Sequence, residues 1–167
     1  MREWRVTTGG EQEPMTGEDA EERDERRSRI ARAFVEALPQ ALELGIRLEE
    51  VGEGMAAVVM DYDPRLVGDP ETGVIHGGAV STLMDTCCGL AVILLPVTPA
   101  GTATLDLRID YMRPATPGQR IRARAQCYHV TRSVAFVRAV ATDIDEARPV
   151  AMATGAFTLD QARETRV

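Results

Sequence analysis

The chain is poor in the residues that build metal and disulfide frameworks. It has three cysteines, two of them adjacent (Cys87 and Cys88), which make neither a disulfide set nor a zinc spacing. Two histidines leave few ligands for any other metal, and none is expected. Lysine is absent, so all 19 basic residues are arginine, a bias read as genomic in origin. There is no basic excess: the net charge of −7 argues against a nucleic-acid partner. Residues 101–148 nevertheless hold 8 arginines against 5 acids, which leaves room for a phosphate-bearing small ligand. The opening MREWRVTTGG lacks an apolar segment, so it is not read as a secretory signal, and a cytoplasmic location is the expectation. No stretch gives the roughly 20 mostly apolar residues that span a bilayer, so no membrane partner is expected. Internal repeats and low-complexity tracts are missing too.

What is present is one domain's worth of chain, organised around residues 73–95, GVIHGGAVSTLMDTCCGLAVILL. After the Gly and His opening, apolar residues fall on every side of a helical wheel. A helix apolar all round must be wrapped by protein. One acid, Asp85, interrupts it. A buried carboxylate costs several kcal/mol unless it is paired, bonded or protonated, which makes Asp85 the residue to explain.

Around this helix the chain divides simply. Residues 1–17 are polar and expected to be flexible. Residues 18–39 read as a charged helix: Thr16 and Asp19 suit its start, Ile30, Phe34, Leu38 and Ala37 give a modest stripe, and Pro39 ends it. Two strand-like runs at 44–51 and 55–62 flank Gly52-Glu53-Gly54, a hairpin signal. A loop rich in Pro and Gly leads into the helix. Four strands follow, at 104–112, 120–130, 134–142 and 150–159. In the first, Leu105, Leu107, Ile109 and Tyr111 share one face and Thr104, Asp106, Arg108 and Asp110 the other. In the second, Arg120, Arg122 and Arg124 point outward and Ile121, Ala123, Ala125 and Cys127 inward. The expected fold is α+β, with an antiparallel sheet curled around one long central helix and an extra N-terminal helix. The main domain spans 40–160, with a tail at 161–167. One small sheet is not expected to enclose so apolar a helix, so a second subunit is expected to cover the rest.

The wording of the motif narrows this further. HGGAVSTLMDTCCG, with His76 and Asp85 nine apart, resembles the signature of the hotdog-fold acyl-CoA thioesterases, of the phenylacetate-degradation (PaaI-like) type. LDLRIDYMRPATPG and TRSVAFVRAVATD resemble the strand and hairpin that follow it in that family. The resemblance implies hydrolysis of an acyl-CoA, with CoA entering as part of the substrate and no other cofactor. It makes Asp85 the catalytic carboxylate, as general base or nucleophile, and Gly77 the N–H donor to the thioester carbonyl. It places Thr104 where members hold the attacking water. Where members often carry Asn this chain has Pro70, preceded by Asp69, a departure from the pattern that leaves Asp69 as a substrate-binding candidate.

The residues support a compatible chemistry. A helix N-terminus offers unpaired N–H groups to a developing oxyanion, and Gly77 and Gly78 allow close approach. Gly77 and Asp85 lie eight residues apart, roughly 12 Å along a helix. If both act on one carbonyl, the Asp must come from a partner's helix, which implies a homodimer with shared sites or a tetramer of such dimers. His76 is a site residue more suited to ordering the loop than to donating protons. Cys87 and Cys88 are read as packing residues. Arg113 and Arg132, with Ser133 beside the latter, either grip the phosphates of CoA or lie in solvent. Two rivals remain open: an enoyl-thioester hydratase or dehydratase of the same fold, and a non-catalytic acyl-CoA-binding protein.

Overall fold

The computed structural model describes residues 20–160. The expectations for residues 1–17 and 161–167, and for a helix start at Thr16 and Asp19, lie outside them. Two N-terminal helices, α1 (Ala20–Glu36) and α2 (Pro39–Glu43), precede the hairpin β1 (Ile46–Gly52) and β2 (Met55–Met60). A 3-10 turn (Pro64–Leu66) and a two-stranded ribbon, β3 (Val67–Asp69) with β4 (Val74–Ile75), stand where only a loop was expected. Then come α3 (Gly77–Ile93), β5 (Thr104–Tyr111), β6 (Ile121–Val130), β7 (Val134–Thr142) and β8 (Ala151–Thr158). The six long strands form one antiparallel sheet in the order β1-β2-β6-β7-β8-β5, curled about α3.

Local sequence explains the elements. Gly54 has a φ of 59°, which an L side chain rarely adopts, and so closes the β1–β2 hairpin. In β6 the alternation holds: Ile121, Ala123, Ala125 and Cys127 are buried against α3. On the opposite face Arg122 bonds Glu49 and Glu50 of β1. The small residues of β2, β6 and β7, Ala56, Ala123, Ala125, Ala135 and Ala139 among them, let α3 approach the sheet closely.

Three sequence expectations are corrected. First, α3 needs no second subunit to bury it: Leu83, Met84, Cys87, Cys88, Leu90, Ala91 and Val92 are all fully inaccessible within one chain. The cover comes from α1, whose Phe34 ring lies against Gly89 of α3 and whose Ala31 and Val35 are buried. The helix stripe is accordingly rotated toward Ala31 and Val35; Ile30, Phe34 and Leu38 only flank it, and Ala37 is exposed.

Second, Asp85 is half-buried, not buried, because it faces the thinly covered side of α3 next to β5. Third, β5 does not alternate strictly. Its residues Thr104 and Asp106 pair with the adjacent residues Phe157 and Ala156 of β8, so Leu105 is an inserted residue. A bulge of this kind re-aims side chains. Leu105 is turned out, 58% exposed, while Thr104 turns in toward α3.

Candidate active site

The site is built on one face of α3. Residues 77, 81 and 85 are spaced by four and so lie one above another on the helix. They are Gly77, Ser81 and Asp85, the small and polar face of an otherwise apolar helix. The edge strand β5 lies against this face and meets it at both ends.

At the N-terminal end, the β3–β4 ribbon sets the start of α3. The His76 N–H donates to Leu66 O at 2.8 Å. A Cβ on Gly68 would lie 2.8 Å from the Cα of His76, so glycine is required for this contact. His76 is the N-cap, and its Nδ1 accepts from the Gly78 N–H at 2.9 Å. Such a bond satisfies one of the orphan donors of a helix start. Among the described residues the N–H of Gly77 has no acceptor. Tyr111, at the end of β5, donates to Gly77 O at 2.7 Å and lies 2.7 Å from Ser81 Oγ. Neither Tyr111 nor Ser81 was singled out as a site residue from the sequence. The spacing of Ser81 between Gly77 and Asp85 was the available signal; for Tyr111 it was its place on the inner face of β5.

At the other end, the Thr104 hydroxyl donates to Asp85 Oδ1 at 2.8 Å. Among the described residues nothing donates to Oδ2. The carboxylate is therefore oriented on one oxygen and open on the other. Asp85 and Thr104 are brought together, and Gly77, Gly78 and His76 form the other pole, with α3 between them.

The remaining candidates lie elsewhere in the local bonding. Asp69 caps its own turn, accepting from Thr72 Oγ1 at 2.6 Å and from the Glu71 N–H at 3.1 Å. These bonds, the threonine hydroxyl first, hold its carboxyl below the usual carboxylate range. Arg113 is committed to Asp143 through two 2.7 Å bonds and to the carbonyls of Arg148 and Pro114. Its guanidinium is thus a clamp between the loop after β5 and the loop after β7. Arg132 and Ser133 form the exposed β6–β7 turn, where Ser133 O accepts from the Leu159 N–H.

Cys87 is fully buried, its thiol directed at the carbonyls of Ala56 and Ala123. Burial pushes its pKa up to about 12 and raises that of Cys88 as well. A thiol so held is a packing group and not a nucleophile. Among the described residues no cluster of three His, Cys, Asp or Glu could hold a metal. No described helix is long and apolar enough to cross a membrane.

Comparison with known proteins identifies the family. The thioesterase superfamily model matches residues 72–150, which contain α3, β5 and both poles of the site. A medium/long-chain acyl-CoA thioesterase of Escherichia coli, YigI, is 27% identical over 141 residues, covering 77% of this chain and 90% of its own. A solved protein of the thioesterase superfamily is 30% identical with a TM-score of 0.73, over 80% of this chain and 98% of that one. The phenylacetic acid degradation protein PaaI of Thermus thermophilus, solved as an Asn-to-Asp mutant, is 28% identical with a TM-score of 0.64, over 72% and 98%. The chain belongs to the thioesterase superfamily, as a PaaI-like hotdog protein and a thioester hydrolase.

Proposed function

We propose that the protein hydrolyses acyl-CoA thioesters to the free acid and CoA. The observation that carries this is the Asp85 carboxylate, fixed on Oδ1 by Thr104 and open on Oδ2, on the helix face that begins with the unbonded Gly77 N–H. As general base, Asp85 takes a proton from water as its oxygen attacks the thioester carbonyl. Negative charge collects on the carbonyl oxygen, where the Gly77 N–H and the positive end of the α3 dipole stabilise it. Collapse breaks the C–S bond, and the CoA thiolate leaves to take up the proton. As nucleophile, Asp85 would displace the thiolate itself to give an anhydride that water then opens. Thr104 orients the carboxylate in both routes. The similarity to YigI supports an acyl-CoA as substrate. His76 uses Nδ1 to cap the helix, which fits a loop-ordering role better than the acid–base role of a hydratase.

The two poles lie roughly 12 Å apart on one helix, so one carbonyl would take Asp85 from one subunit and the Gly77 N–H from its partner. The edge strand β5 is suited to a two-fold contact. Among the described residues its outer edge is unpaired, and the apolar Leu105, Tyr111 and Met112 on or beside it are 58%, 50% and 59% exposed. Unpaired edges invite pairing with another chain. The homodimer, its further pairing into a tetramer and a cytoplasmic location all belong to this proposal.

The test is hydrolysis of acetyl-, decanoyl-, palmitoyl- and phenylacetyl-CoA, read by released thiol, with wild type and Asp85→Asn side by side. The amide is nearly isosteric but takes no proton, so turnover should fall by about 10²–10⁴. A folded Asn variant retaining more than a tenth of wild-type activity removes Asp85 from the mechanism.

A further inference from the structure

Resting on the hydrolase reading above, we infer that Tyr111, acting with Ser81, is the positioning residue that holds the Gly77 N–H in its oxyanion-binding direction. Two successive glycines at a helix start have more backbone freedom than any other pair. A donor on such a segment stabilises charge only if it is already aimed, since re-aiming it costs part of the gain.

The peptide unit between Gly77 and Gly78 is gripped at both ends. Its N–H, on Gly78, donates to His76 Nδ1 at 2.9 Å. Its carbonyl, on Gly77, accepts from Tyr111 Oη at 2.7 Å and has Ser81 Oγ at 3.1 Å. Three contacts join these oxygens but the two hydroxyls carry two protons. The short arrangement has Ser81 donating to Tyr111 at 2.7 Å and Tyr111 donating to Gly77 O. With that unit fixed, the Cα and carbonyl carbon of Gly77 are held in place. The preceding unit, which carries the Gly77 N–H, is held through its His76 carbonyl by the Ala79 N–H at 3.0 Å. The Gly77 N–H thus lies between two anchored units and stays aimed out of the helix start. A Cβ on Gly77 would lie 3.3 Å from Tyr111 Oη and 3.4 Å from the ring, so the tyrosine also packs directly on this glycine.

Tyr111 itself is anchored by the structure behind it. The Met112 N–H donates to Val150 O at 2.9 Å, and Arg113 clamps Asp143. The aim of the helix start is thus set by β5 and the loops that brace it. The same strand carries Thr104, which orients Asp85 at the opposite pole. One strand therefore orients both halves of the catalytic machinery.

Tyr111→Phe removes the hydroxyl and keeps the ring. With decanoyl-CoA as probe, it should lower kcat by about tenfold while KM stays within twofold, the pattern of an interaction made in the transition state. Ser81→Ala should lower kcat by a smaller factor in the same pattern. Amide exchange at Gly78, measured by NMR, should accelerate in Tyr111→Phe while that of core residues such as Val58 and Val137 is unchanged. Tyr128→Phe, on the far face of the sheet, is the control and should match wild type. An unchanged kcat in Tyr111→Phe overturns the positioning role, whatever the exchange shows. A loss confined to KM overturns it as well, in favour of substrate binding. A wild type inert toward decanoyl-CoA and the other three thioesters overturns the hydrolase reading, and this role falls with it.

Discussion

At the scale of the residue, two carboxylates show how environment separates chemistry from architecture. Among the described residues Asp85 accepts one hydrogen bond, from a side chain, and keeps an oxygen open. Asp143 has a carboxylate with no accessible surface and accepts from both Arg113 nitrogens, from the N–H and hydroxyl of Thr116 and from the Asp145 N–H. The Arg113 guanidinium, followed by the Thr116 bonds, holds its carboxyl far below the usual carboxylate range. Because the folded-state pKa is depressed, the stabilisation is fully present above the unfolded value of about 3.9. It is lost as the pH falls through the folded pKa. Asp143→Asn keeps the shape but leaves Arg113 unpaired, and should cost about 3 kcal/mol at pH 7. The gap from wild type should narrow below pH ~4. Urea unfolding at pH 7 and pH 3 checks this, and an equal gap at both would show that the charge is not the cause.

Legibility was uneven at this scale. Asp85 stood out because it is the one acid in an apolar helix, and Gly77 and His76 because glycines and a polar residue mark a helix start. Tyr111 and Ser81 did not, because their contact depends on how closely β5 docks on α3, a distance no local pattern encodes. Arg113 likewise gave no sign of its partner, which lies 30 residues away in sequence.

Among the elements, β5 is the one on which the proposed site depends, and among the described residues it is held to the sheet through β8 alone. Gly155 of β8 is opposite Leu107. A Cβ there would fall 2.6 Å from Asp106 O and 2.9 Å from Leu107 Cδ1. The first of these is backbone and cannot swing aside. Gly155→Ala should therefore push β5 outward, costing about 1–3 kcal/mol and lowering turnover further than the stability loss explains, since Thr104 and Tyr111 move with the strand. The urea midpoint and the turnover at 25 °C, taken on the same preparation, decide it; unchanged turnover in the variant would mean that β5 does not hold the site.

The six strands of the main sheet and the hairpin could be read from alternation and glycine placement, and the central helix from its length and apolar run; the short β3–β4 ribbon could not. The bulge at Leu105 could not, because it depends on register with β8, and strict alternation placed Thr104 on the wrong face. The burial of α3 by α1 was missed for a related reason. Small residues such as Ala31 and Gly89 give no hydrophobic signal of their own, yet they permit the close packing that closes the core.

For the whole molecule, the central claim is a hydrolytic site assembled from Asp85 of one chain and the Gly77 N–H of another. Its support is the helical separation of roughly 12 Å and the apolar edge of β5, unpaired among the described residues; the burial of α3 does not contribute, since one chain achieves it. Two inactive variants test the claim directly. One carries Asp85→Asn; the other carries Gly77→Val, whose side chain would meet the Tyr111 ring and obstruct the donor. In a mixed dimer with shared sites, one site holds both defects and the other neither. Refolding the two variants together and measuring acyl-CoA hydrolysis on mass-verified mixed dimers should then restore up to about half of wild-type activity. Activity that stays at the background of the separate variants would mean that each site draws both groups from a single chain, and would contradict the shared site.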